Sequence, residues 1–288
     1  MSKGKIVLIT GSCGFIGSNL VKACLKKGWE VIGVDNFSGS SAEMSEPERY
    51  SNLLGKYKFY EADVCETEYF TGLVEKHNPE VIFHLAALPR VSFSTDYPLE
   101  SNHNNITGTL SVLEAARKVG VKRVVYSASS SMYGGESIPF PTPETTPAHP
   151  KSNYALQKYT GLEYCRLFSE LYVLDTCSLI YFNVFGPGQL AGGSYSTVIP
   201  AFFHSALNDE SCRIDGKTGD QSRDFCYVSN IVDANILASE NKRAFCGDAF
   251  NIANGETHSV LEVYHQVKKI FCKDLKKHHV SRRLGDPQ

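Results

Sequence analysis

One stretch near the N-terminus decides the fold: TGSCGFIG, residues 10–17. An apolar run at residues 5–10 precedes it and predicts a buried strand. An amphipathic run at residues 18–27 follows it and predicts a helix. A glycine-rich turn between a strand and a helix is where nucleotide-binding sheets hold phosphate groups. The stretch therefore predicts a dinucleotide-binding loop.

Each glycine of this loop has a separate predicted role. Gly11 permits the tight turn, Gly14 lets a pyrophosphate approach the backbone, and Gly17 lets the helix pack closely on the strand. Phe15 and Ile16 lie at the start of the helix, where free N–H groups and the positive end of the helix dipole favour phosphates. We therefore expect all five residues to contact the cofactor.

The first half of the chain alternates apolar runs with helical patterns. Further strands are predicted at residues 30–34, 57–60, 81–85, 122–127 and 176–181, and further helices at residues 66–77, 104–119 and 152–171. This alternation predicts parallel βαβ units, so the expected fold class is α/β, a Rossmann-type doubly wound parallel sheet. We expect residues 1–182 to form the dinucleotide-binding domain and residues 183–288 to form a smaller C-terminal substrate lobe interleaved with it.

An acidic residue ends the second predicted strand. Asp35 lies 18 positions after Gly17, where its carboxylate would accept hydrogen bonds from the adenosine ribose and repel a 2′-phosphate. Asp35 therefore favours NAD over NADP as the cofactor, and the neighbouring Asn36 is assigned to the same site. The alternative interpretation is a structural turn with a surface aspartate.

Two later strand ends complete the predicted cofactor site. Asp63 and Val64 end the third strand and could reach the adenine edge, although Asp63 could instead cap the helix that follows. His84, near the end of the fourth strand, is expected to be a packed histidine rather than a catalytic one. The residues after it leave room for the cofactor because they are mostly small; they are Leu85, Ala86 and Ala87.

A tyrosine and a lysine four residues apart carry the predicted proton chemistry. Tyr154 and Lys158 would share one face of a helix. The lysine charge would lower the pKa of Tyr154 toward working pH, so that the phenolate acts as a base, and Lys158 could also bind the nicotinamide ribose. A serine such as Ser129, in the hydroxyl-rich end of the fifth strand, could hydrogen-bond the reacting group. The alternatives are a solvated helix face and a polar loop.

Composition limits the class of protein. The chain has 288 residues and a net charge of −2, which argues against a general nucleic-acid or membrane-surface binder. No apolar run approaches the length of a membrane span. The 9 cysteines form no CxxC pair and the 9 histidines show no HxxxH or HExxH spacing, so we assign no metal. Scattered, reduced thiols are typical of a cytoplasmic protein.

These motifs together resemble the extended short-chain dehydrogenase/reductase family. TGSCGFIG matches its glycine motif, and Tyr154 and Lys158 match its YxxxK pair. The active-site serine of that family lies four residues before a Tyr-Gly pair, which identifies Ser129. The resemblance runs from Lys5 to the end of the chain.

Within that family, the chain most resembles nucleotide-sugar 4-epimerases, particularly the UDP-N-acetylglucosamine 4-epimerase branch. Four stretches carry this similarity: VDNFS at residues 34–38, ASSSMYG at 128–134, YFNVFG at 181–186 and SRDFCYV at 222–228. The resemblance implies NAD-dependent epimerisation at C4 of a UDP-sugar, either UDP-glucose/galactose or a UDP-N-acetylhexosamine. It also implies that Tyr181 contacts the cofactor.

A local feature separates reaction types within the family. The related sugar 4,6-dehydratases and decarboxylases carry an acidic residue one or two places after the active-site hydroxyl, where this chain has Ser130 and Ser131. Without a carboxylate there, elimination has no obvious acid or base, so epimerisation is favoured. In the implied mechanism, Tyr154 takes the proton of the sugar 4-hydroxyl with Ser129 bridging. NAD accepts the C4 hydride and returns it to the opposite face of the 4-keto sugar.

The resemblance also implies which residues hold the nucleotide sugar. Arg223 and Arg283 would bind the diphosphate, since a guanidinium fork suits paired phosphate oxygens, although each could instead form a surface salt bridge. Asp286 would bind the uridine ribose, and Asn183 would contact the sugar or the diphosphate. Ser130 is assigned to the substrate site as well.

Three features depart from the family pattern. Asp215 stands where many epimerases have an aromatic residue that covers the uracil, so the resemblance does not fix which nucleobase the substrate carries. Arg90 stands where the N-acetylglucosamine branch tends to have a small residue; it could clamp a uronate carboxylate, or pair with the diphosphate or with Asp96. The family continues for several tens of residues past the Arg-x-Gly-Asp motif, whereas this sequence ends at Gln288, so we expect an incomplete substrate lobe.

The sequence leaves other functions and an assembly to test. The alternatives are a UDP-uronate epimerase or decarboxylase, and a catalytically incomplete NAD-binding protein. The resemblance implies a homodimer in which the helices at residues 104–119 and 152–171 pair with their copies in a four-helix bundle. An apolar face on the second helix is compatible with that role or with the core; it consists of Leu162, Cys165, Leu167 and Phe168.

Overall fold

Strands and helices alternate along the chain from its first strand. The computed structural model describes residues 4–39, 50, 52–135, 138–191, 197–216 and 218–281. Its strands are β1 (Ile6–Thr10), β2 (Glu30–Asp35), β3 (Lys56–Glu61), β4 (Val81–His84), β5 (Arg123–Ser129), β6 (Thr176–Tyr181), β7 (Asn183–Phe185), β8 (Cys212–Asp215), β9 (Ser222–Arg223), β10 (Phe225–Tyr227), β11 (Ala249–Ile252), β12 (His258–Ser259) and β13 (Lys277–Val280). Its α-helices are α1 (Phe15–Lys26), α2 (Thr67–His77), α3 (Val91–Asp96), α4 (Pro98–Asn102), α5 (Gly108–Val119), α6 (Asn153–Tyr172), α7 (Val198–Leu207), α8 (Val228–Glu240) and α9 (Val260–Phe271). A π-helix (His103–Thr107) joins α4 to α5, and a 3-10 helix (Ser130–Tyr133) follows β5.

Seven of the strands form one parallel sheet in the order β3-β2-β1-β4-β5-β6-β11. The chain runs outward from β1 to β3, crosses back to place β4 beside β1, and then continues in the other direction. The connections on either side of β1 and β4 therefore diverge and leave a crevice at the carboxyl ends of these two strands. The predicted Rossmann-type doubly wound sheet is confirmed.

The central strands are apolar on both faces because helices cover both faces of the sheet. Along β1, Leu8 packs into one core, whereas Val7 and Ile9 pack into the other, as the two-residue period of a strand requires. Phe70 of α2 belongs to the first core and Leu20 of α1 to the second. The two cores hold the strand ends, and hence the crevice, in a fixed position.

Helix boundaries differ from the sequence prediction around the fourth strand. The helix predicted at residues 104–119 begins earlier, because Pro98 starts α4 and the π-helix carries the chain into α5. Proline is tolerated in the first turn of a helix, where its missing N–H has no partner to lose. The short helix α3, which holds the segment after the crevice, was not predicted.

The C-terminal third returns to the main sheet. Strand β11 pairs with β6 in parallel register, and Ile231 of α8 packs in the same core as Leu20 of α1. A separate small core lies under α7, β8 and α9, where Phe202, Ile214 and Tyr264 are buried. The domain boundary at residue 182 stays a prediction.

A buried arginine ties this returning segment to the sheet. The Arg123 side chain at the start of β5 is 2% exposed and pairs with Asp175 at 2.6 Å. It also donates to the carbonyl oxygens of Asn241 at 2.9 Å and Arg243 at 2.8 Å. Asp175 in turn accepts a hydrogen bond from the backbone N–H of Phe245 at 2.7 Å. A buried charge is costly without such partners, so this cluster fixes the chain between α8 and β11.

Candidate cofactor cleft and active site

A cleft of about 550 Å³ opens at the carboxyl ends of β1 and β4. All of the residues predicted to contact the cofactor line it: Gly11, Gly14, Phe15, Ile16, Gly17, Asp35, Asn36, Asp63, Val64, Leu85, Ala86, Ala87, Lys158 and Tyr181. Tyr154 and Arg90 line the same cleft. The structure therefore brings the predicted cofactor residues together with the predicted base.

The glycine loop has the geometry that the sequence motif predicts. Gly11 has a positive φ of +67°, and a Cβ there would lie 2.8 Å from the backbone nitrogen of Ala86. A Cβ at Gly17 would lie 2.0 Å from the carbonyl oxygen of Gly11, so the helix packs too closely for any side chain. Gly14 is the N-cap of α1 and has no side-chain cap, which leaves the first N–H groups of the helix for a ligand in the cleft.

Asp35 is held by backbone donors at the mouth of this loop. Its Oδ2 accepts from the N–H of Cys13 and its Oδ1 from the N–H of Phe37, both at 2.9 Å. A carboxylate oxygen can accept more than one hydrogen bond, so a ribose hydroxyl could share this carboxylate with the backbone donors. The arrangement fixes the carboxylate in the wall of the cleft rather than on the outer surface, contrary to the alternative of a surface aspartate.

Asp63 belongs to the same wall and does not cap a helix. Its carboxylate accepts from the Asn36 side chain at 3.0 Å and from the N–H of Cys65 at 2.8 Å. The following helix α2 has Glu66 as its N-cap residue and no side-chain cap. The helix-cap alternative for Asp63 is therefore wrong, and its contact with adenine stays a prediction.

His84 is a packed histidine, as predicted. Its Nδ1 lies 2.9 Å from the Thr10 hydroxyl and its Nε2 lies 3.0 Å from the Thr109 hydroxyl. Burial lowers the pKa of His84 to about 3, so the ring is neutral at physiological pH. Because Thr109 donates to the carbonyl oxygen of Asn105 at 2.7 Å, it accepts from His84 Nε2–H, and Nδ1 accepts from Thr10.

A second buried network holds the loop after β4. The Asn105 side chain binds both the N–H and the carbonyl of Leu88, at 2.8 and 3.2 Å. Its Nδ2 also donates to Gln157 Oε1 at 2.7 Å, and the same oxygen accepts from the Ser101 hydroxyl at 2.8 Å. Gln157 lies on α6, next to Lys158. The network therefore connects the helix that carries the predicted base to the loop that lines the cleft.

Sequence reasoning missed this network because its members carry no motif. Asn105 was one of two asparagines in a predicted helix, and Gln157 was an unassigned position between Tyr154 and Lys158. A signal was present in principle, since polar residues on the buried face of an amphipathic helix need partners.

The proposed base and its neighbours lie on α6 and at the end of β5. Ser152 caps α6 by accepting from the N–H of Ala155 at 3.2 Å, so the helix begins just before Tyr154. Lys158 is buried and donates from Nζ to the carbonyl oxygen of Ser127 at 2.9 Å. Burial lowers the pKa of Lys158 to about 8, which keeps most of the lysine charged at neutral pH.

The electrostatics of Tyr154 differ from the sequence prediction. Burial raises the pKa of Tyr154 to about 12, and its hydrogen bond with Ser129 opposes the rise only in part. The predicted lowering by Lys158 is therefore wrong for the chain by itself, because burial of the phenol dominates and the lysine ammonium binds the Ser127 carbonyl. Tyr154 is a neutral phenol at physiological pH.

The predicted substrate residues that the structure describes divide into two groups, those that line the cleft and those that do not. Arg90 lines the cleft. Asn183 donates to the carbonyl oxygen of Asp224 at 3.0 Å and Arg223 to that of Ser222 at 2.8 Å, and neither lies in the cleft wall that the structure describes. Ser130 follows the active-site serine in the 3-10 helix and is likewise outside that wall.

Three other predictions concern the nucleotide end. Arg283 and Asp286 lie outside the described residues. Asp215, at the position of the expected base-covering aromatic, accepts from Arg213 Nε at 2.8 Å. The two side chains project from the same face of β8, since they are two residues apart on a strand.

The part of the chain that the structure describes offers neither a metal-binding cluster nor a membrane-spanning helix. No group of three or more histidine, cysteine, aspartate or glutamate side chains there is arranged to hold a metal ion. No helix in the same ranges combines the length and apolar character needed to cross a membrane.

Comparison with known proteins places this cleft in a family. Residues 7–253 match the model of the NAD dependent epimerase/dehydratase family. The UDP-glucose 4-epimerase of Thermotoga maritima, solved with UDP-glucose, is 35% identical with a TM-score of 0.91, covering 98% of this chain and 87% of that one. The UDP-N-acetylglucosamine 4-epimerase of Methanobrevibacter ruminantium, solved with UDP-N-acetylmuramic acid, is 35% identical with a TM-score of 0.89, covering 99% and 87%. The UDP-glucuronic acid 4-epimerase of Bacillus cereus, solved with UDP-glucuronic acid and NAD, is 28% identical with a TM-score of 0.87, covering 98% and 88%.

Proposed function

Because the chain belongs to the NAD-dependent epimerase/dehydratase family and takes NAD as its cofactor, we propose that it inverts carbon 4 of a UDP-sugar through a transient 4-keto intermediate. One observation carries the proposal: Tyr154 and Lys158 line the same cleft as the residues expected to hold NAD. Oxidation of a secondary alcohol requires a base and a hydride acceptor beside the same carbon, and the position of Tyr154 beside the residues expected to hold NAD supports this chemistry.

The residues of the cleft fit NAD. A Cβ at Gly14 would meet only the carbonyl oxygen of Gly11 within 4 Å, at 3.3 Å, so the backbone is open to a pyrophosphate there. The uncapped start of α1 supplies N–H donors for the phosphates, and the Asp35 carboxylate supplies acceptors for the adenosine ribose. When bound, NAD supplies a hydride acceptor that later returns the hydride.

The chain's own residues then have distinct tasks. Tyr154 takes the proton from the sugar 4-hydroxyl as the C4 hydride leaves, and gives it back when the hydride returns. Ser129 bridges the phenol and the sugar oxygen. Lys158 has three N–H donors, one of which binds Ser127, so the others serve the nicotinamide ribose.

The sugar is proposed to be a UDP-hexose or a UDP-N-acetylhexosamine. Two observations support it: relatives that act on such sugars are 35% identical over nearly the whole chain, and the positions after Ser129 carry hydroxyls rather than the carboxylates that elimination needs. A UDP-uronate is the second candidate. It is favoured by Arg90, whose guanidinium lines the cleft and matches a carboxylate.

Product analysis tests these proposals directly. Purified protein is incubated with UDP-glucose, UDP-N-acetylglucosamine or UDP-glucuronate, and the products are separated as epimers and weighed by mass spectrometry. The proposal expects a new epimer of unchanged mass with one of the first two sugars and none with the Tyr154→Phe variant. A mass lowered by one carbon dioxide would identify a decarboxylase instead. Bound NAD without conversion of any sugar would identify a catalytically incomplete NAD-binding protein.

The Arg90 alternative has its own matched test. Arg90→Lys retains the positive charge but loses the paired donors, and Arg90→Ala removes both. For a uronate substrate, we expect KM to rise in the order wild type, Lys variant, Ala variant, with kcat changed much less. Equal KM values for the three proteins with UDP-glucuronate would exclude the carboxylate clamp.

The assembly is proposed to be a homodimer formed by α5 and α6. The sequence left the apolar face of α6 open between dimer contact and core, and the core interpretation is confirmed for Leu162, Cys165 and Phe168, which are buried in the core of the chain itself. The fourth member of that face, Leu167, lies on the outward side of α6 and is 43% exposed, together with Leu156 at 51% and Leu171 at 61%. An exposed apolar stripe on a helix is a common dimer face. Analytical ultracentrifugation tests the proposed dimer: the wild type should sediment as a dimer and Leu167→Glu as a monomer.

A cytoplasmic location is proposed from the thiols. All 9 cysteines are described and none forms a disulfide, and seven of them are at least partly buried. Persistently reduced cysteines are typical of a reducing compartment.

A further inference from the structure

The short helix α3 connects two residues of the cleft wall. Arg90 immediately precedes α3, Tyr154 lies in the first turn of α6, and both line the cleft. Ser94, in the middle of α3, is fully buried. Its N–H donates to the carbonyl oxygen of Arg90 at 3.0 Å, and its Oγ accepts from the N–H of Tyr154 at 3.1 Å. One residue therefore holds the backbones of both cleft residues.

The hydrogen bonds of Ser94 fix the orientation of its side chain. A serine hydroxyl has one hydrogen and two lone pairs. The hydrogen goes to the carbonyl oxygen of Val91 at 2.6 Å, so the lone pairs are left for the N–H of Tyr154. The carbonyl oxygen of Ser94 also accepts from the Asn153 side chain at 2.8 Å. Two hydrogen bonds to Ser94 therefore cross between α3 and α6.

The N–H of Tyr154 depends on Ser94 because of its place at the start of α6. The first N–H groups of a helix have no partner within the helix. Ser152 supplies its side-chain oxygen to the N–H of Ala155 at 3.2 Å and its carbonyl oxygen to the N–H of Leu156 at 3.0 Å. The N–H of Tyr154 instead finds its acceptor on another helix. The position of the proposed base is therefore set in part from outside α6.

The segment that lines the cleft before α3 is tied to α6 at its other end as well. The N–H and the carbonyl of Leu88 bind Asn105, whose side chain donates to Gln157 of α6 at 2.7 Å. Pro89, which follows Leu88 and lines the cleft, has a fixed φ and stiffens the segment. The segment and the first turns of α6 are thus joined at two places, through Asn105 and through Ser94.

We propose that Ser94 is a positioning residue for proton transfer, because it holds Tyr154 at a fixed place relative to the Pro89–Arg90 segment. This inference rests on the proposed function. Tyr154 must meet the sugar 4-hydroxyl, and the Pro89–Arg90 segment lines the cleft that would hold the sugar. Ser94 acts through the backbone alone, since it is buried outside the described cleft wall. A sugar held against the segment then finds the phenol at a constant position.

Fluorine NMR of the holoenzyme follows the base without a substrate. The protein is labelled with 3-fluorotyrosine, and the Tyr154 resonance is identified by its loss in Tyr154→Phe. We expect Ser94→Ala to displace that resonance by more than its wild-type linewidth, because the first turn of α6 loses its acceptor on α3. Asn153→Ala removes the other bond between the two helices from an exposed position. It should displace the resonance by less, and it keeps the test decisive if Ser94→Ala does not fold.

Ser152→Ala is a matched control for this effect. It also removes a serine Oγ that accepts an N–H of the first turn of α6, at 3.2 Å rather than 3.1 Å, but the bonds of Ser152 stay within α6. Each variant loses one capping bond, so both melting temperatures should fall by roughly 2 °C. Ser152→Ala should nevertheless leave the Tyr154 resonance within its wild-type linewidth.

Turnover supplies the second measurement, with a sugar that the wild type converts. Ser94→Ala should lower kcat about fivefold to twentyfold and change KM less than about twofold, because the phenol is displaced while the contacts of the sugar remain. A residue that only stabilised the fold would leave kcat of the folded enzyme unchanged. Ser152→Ala should keep kcat within about twofold of the wild type.

Three results would overturn the inference. One is a Tyr154 resonance that stays in place in both Ser94→Ala and Asn153→Ala. Another is an equal displacement in Ser152→Ala, which would assign the effect to the helix start in general. The third is a wild-type kcat in Ser94→Ala, which would make Ser94 a helix cap only. If the wild type converts no UDP-sugar, the proposed function fails separately, and the resonance still decides whether Ser94 positions Tyr154.

Discussion

Substituting alanine for two glycines of the loop separates packing from cofactor binding. A methyl group at Gly17 would lie 2.0 Å from the carbonyl oxygen of Gly11 and 3.0 Å from the Cα of Ser12, both parts of the backbone. A methyl group at Gly14 would meet only the Gly11 oxygen, at 3.3 Å, and would project into the cleft. Comfortable contacts need about 3.5 Å, so the first change forces a backbone shift and the second needs only a small adjustment.

These distances set the expected magnitudes. Overpacking a core costs roughly 1–3 kcal/mol, and the upper end applies to Gly17→Ala because backbone must move. Alanine regains about 1 kcal/mol in helix propensity, since Gly17 lies inside α1. The net loss of about 2 kcal/mol should lower the melting temperature by roughly 3–4 °C in a chain of 288 residues. Gly14→Ala should stay within about 2 °C of the wild type but bind NAD roughly a hundredfold more weakly, or about 2.8 kcal/mol.

Thermal unfolding and NAD titration of both apoproteins check this prediction. NAD binding to Gly17→Ala is measured well below its melting temperature, so that affinity is not confused with unfolding. If Gly17→Ala has the melting temperature of the wild type and binds NAD normally, then close packing of α1 on β1 does not explain why a glycine is needed at residue 17. If Gly14→Ala loses as much stability as Gly17→Ala, the two roles are not separable.

Four other changes test separate parts of the site. Asp35→Ser should weaken NAD binding roughly tenfold and narrow the preference over NADP, because the carboxylate that repels a 2′-phosphate is gone; titrations with both cofactors measure this. Gln157→Leu leaves the Ser101 and Asn105 donors without their acceptor, so the free energy of unfolding in urea should fall by about 2 kcal/mol. Gln157→Glu keeps an acceptor oxygen, so its free energy of unfolding should fall by less. Turnover should rise as pH increases from 6 to 7.5, since burial raises the pKa of Tyr154 to about 12 and more phenolate forms with each unit, while Lys158, with its pKa lowered to about 8, stays mostly charged; a flat pH–rate profile in this range would contradict this. Acid should destabilise the fold below pH 6.5, because unfolded His84 takes up a proton that the buried ring, with its pKa lowered to about 3, does not. The loss from pH 6.5 to 5 should be about 2 kcal/mol in the wild type and smaller in His84→Asn, as judged by urea unfolding.

The local motifs could be predicted because their geometry is set within a few residues. The glycine spacing fixes the turn after β1, and the four-residue spacing of Tyr154 and Lys158 fixes their common helix face. The wall of the cleft followed from the rule that ligands bind at the carboxyl ends of parallel strands. Asp35 could be placed for the same reason, since it ends β2 beside β1.

The parts that could not be predicted depend on partners far apart in the sequence. Asn105 meets Leu88 across 17 residues and Gln157 across 52, and no local pattern records either contact. The same limit applies to the apolar face of α6. Periodicity shows that Leu162 and Leu167 lie on a helix, but only the packing decides that the first is buried and the second is exposed. The pKa of Tyr154 likewise depends on burial, which spacing does not reveal.

The return of the chain to its first sheet constrains the order of synthesis and folding. When the nascent chain has emerged from the ribosome as far as β6, its parallel sheet ends at β6 as an unpaired edge strand, because β11 has not yet been synthesised. At that stage the Arg123 guanidinium also lacks its carbonyl partners at Asn241 and Arg243. Until residue 252 has left the exit tunnel, the N-terminal two thirds of the chain cannot complete their sheet. During that time the edge of β6 can pair with other chains, and the Arg123 charge lacks part of its hydrogen-bonding shell. Nascent chains halted before that point should be the ones that chaperones hold.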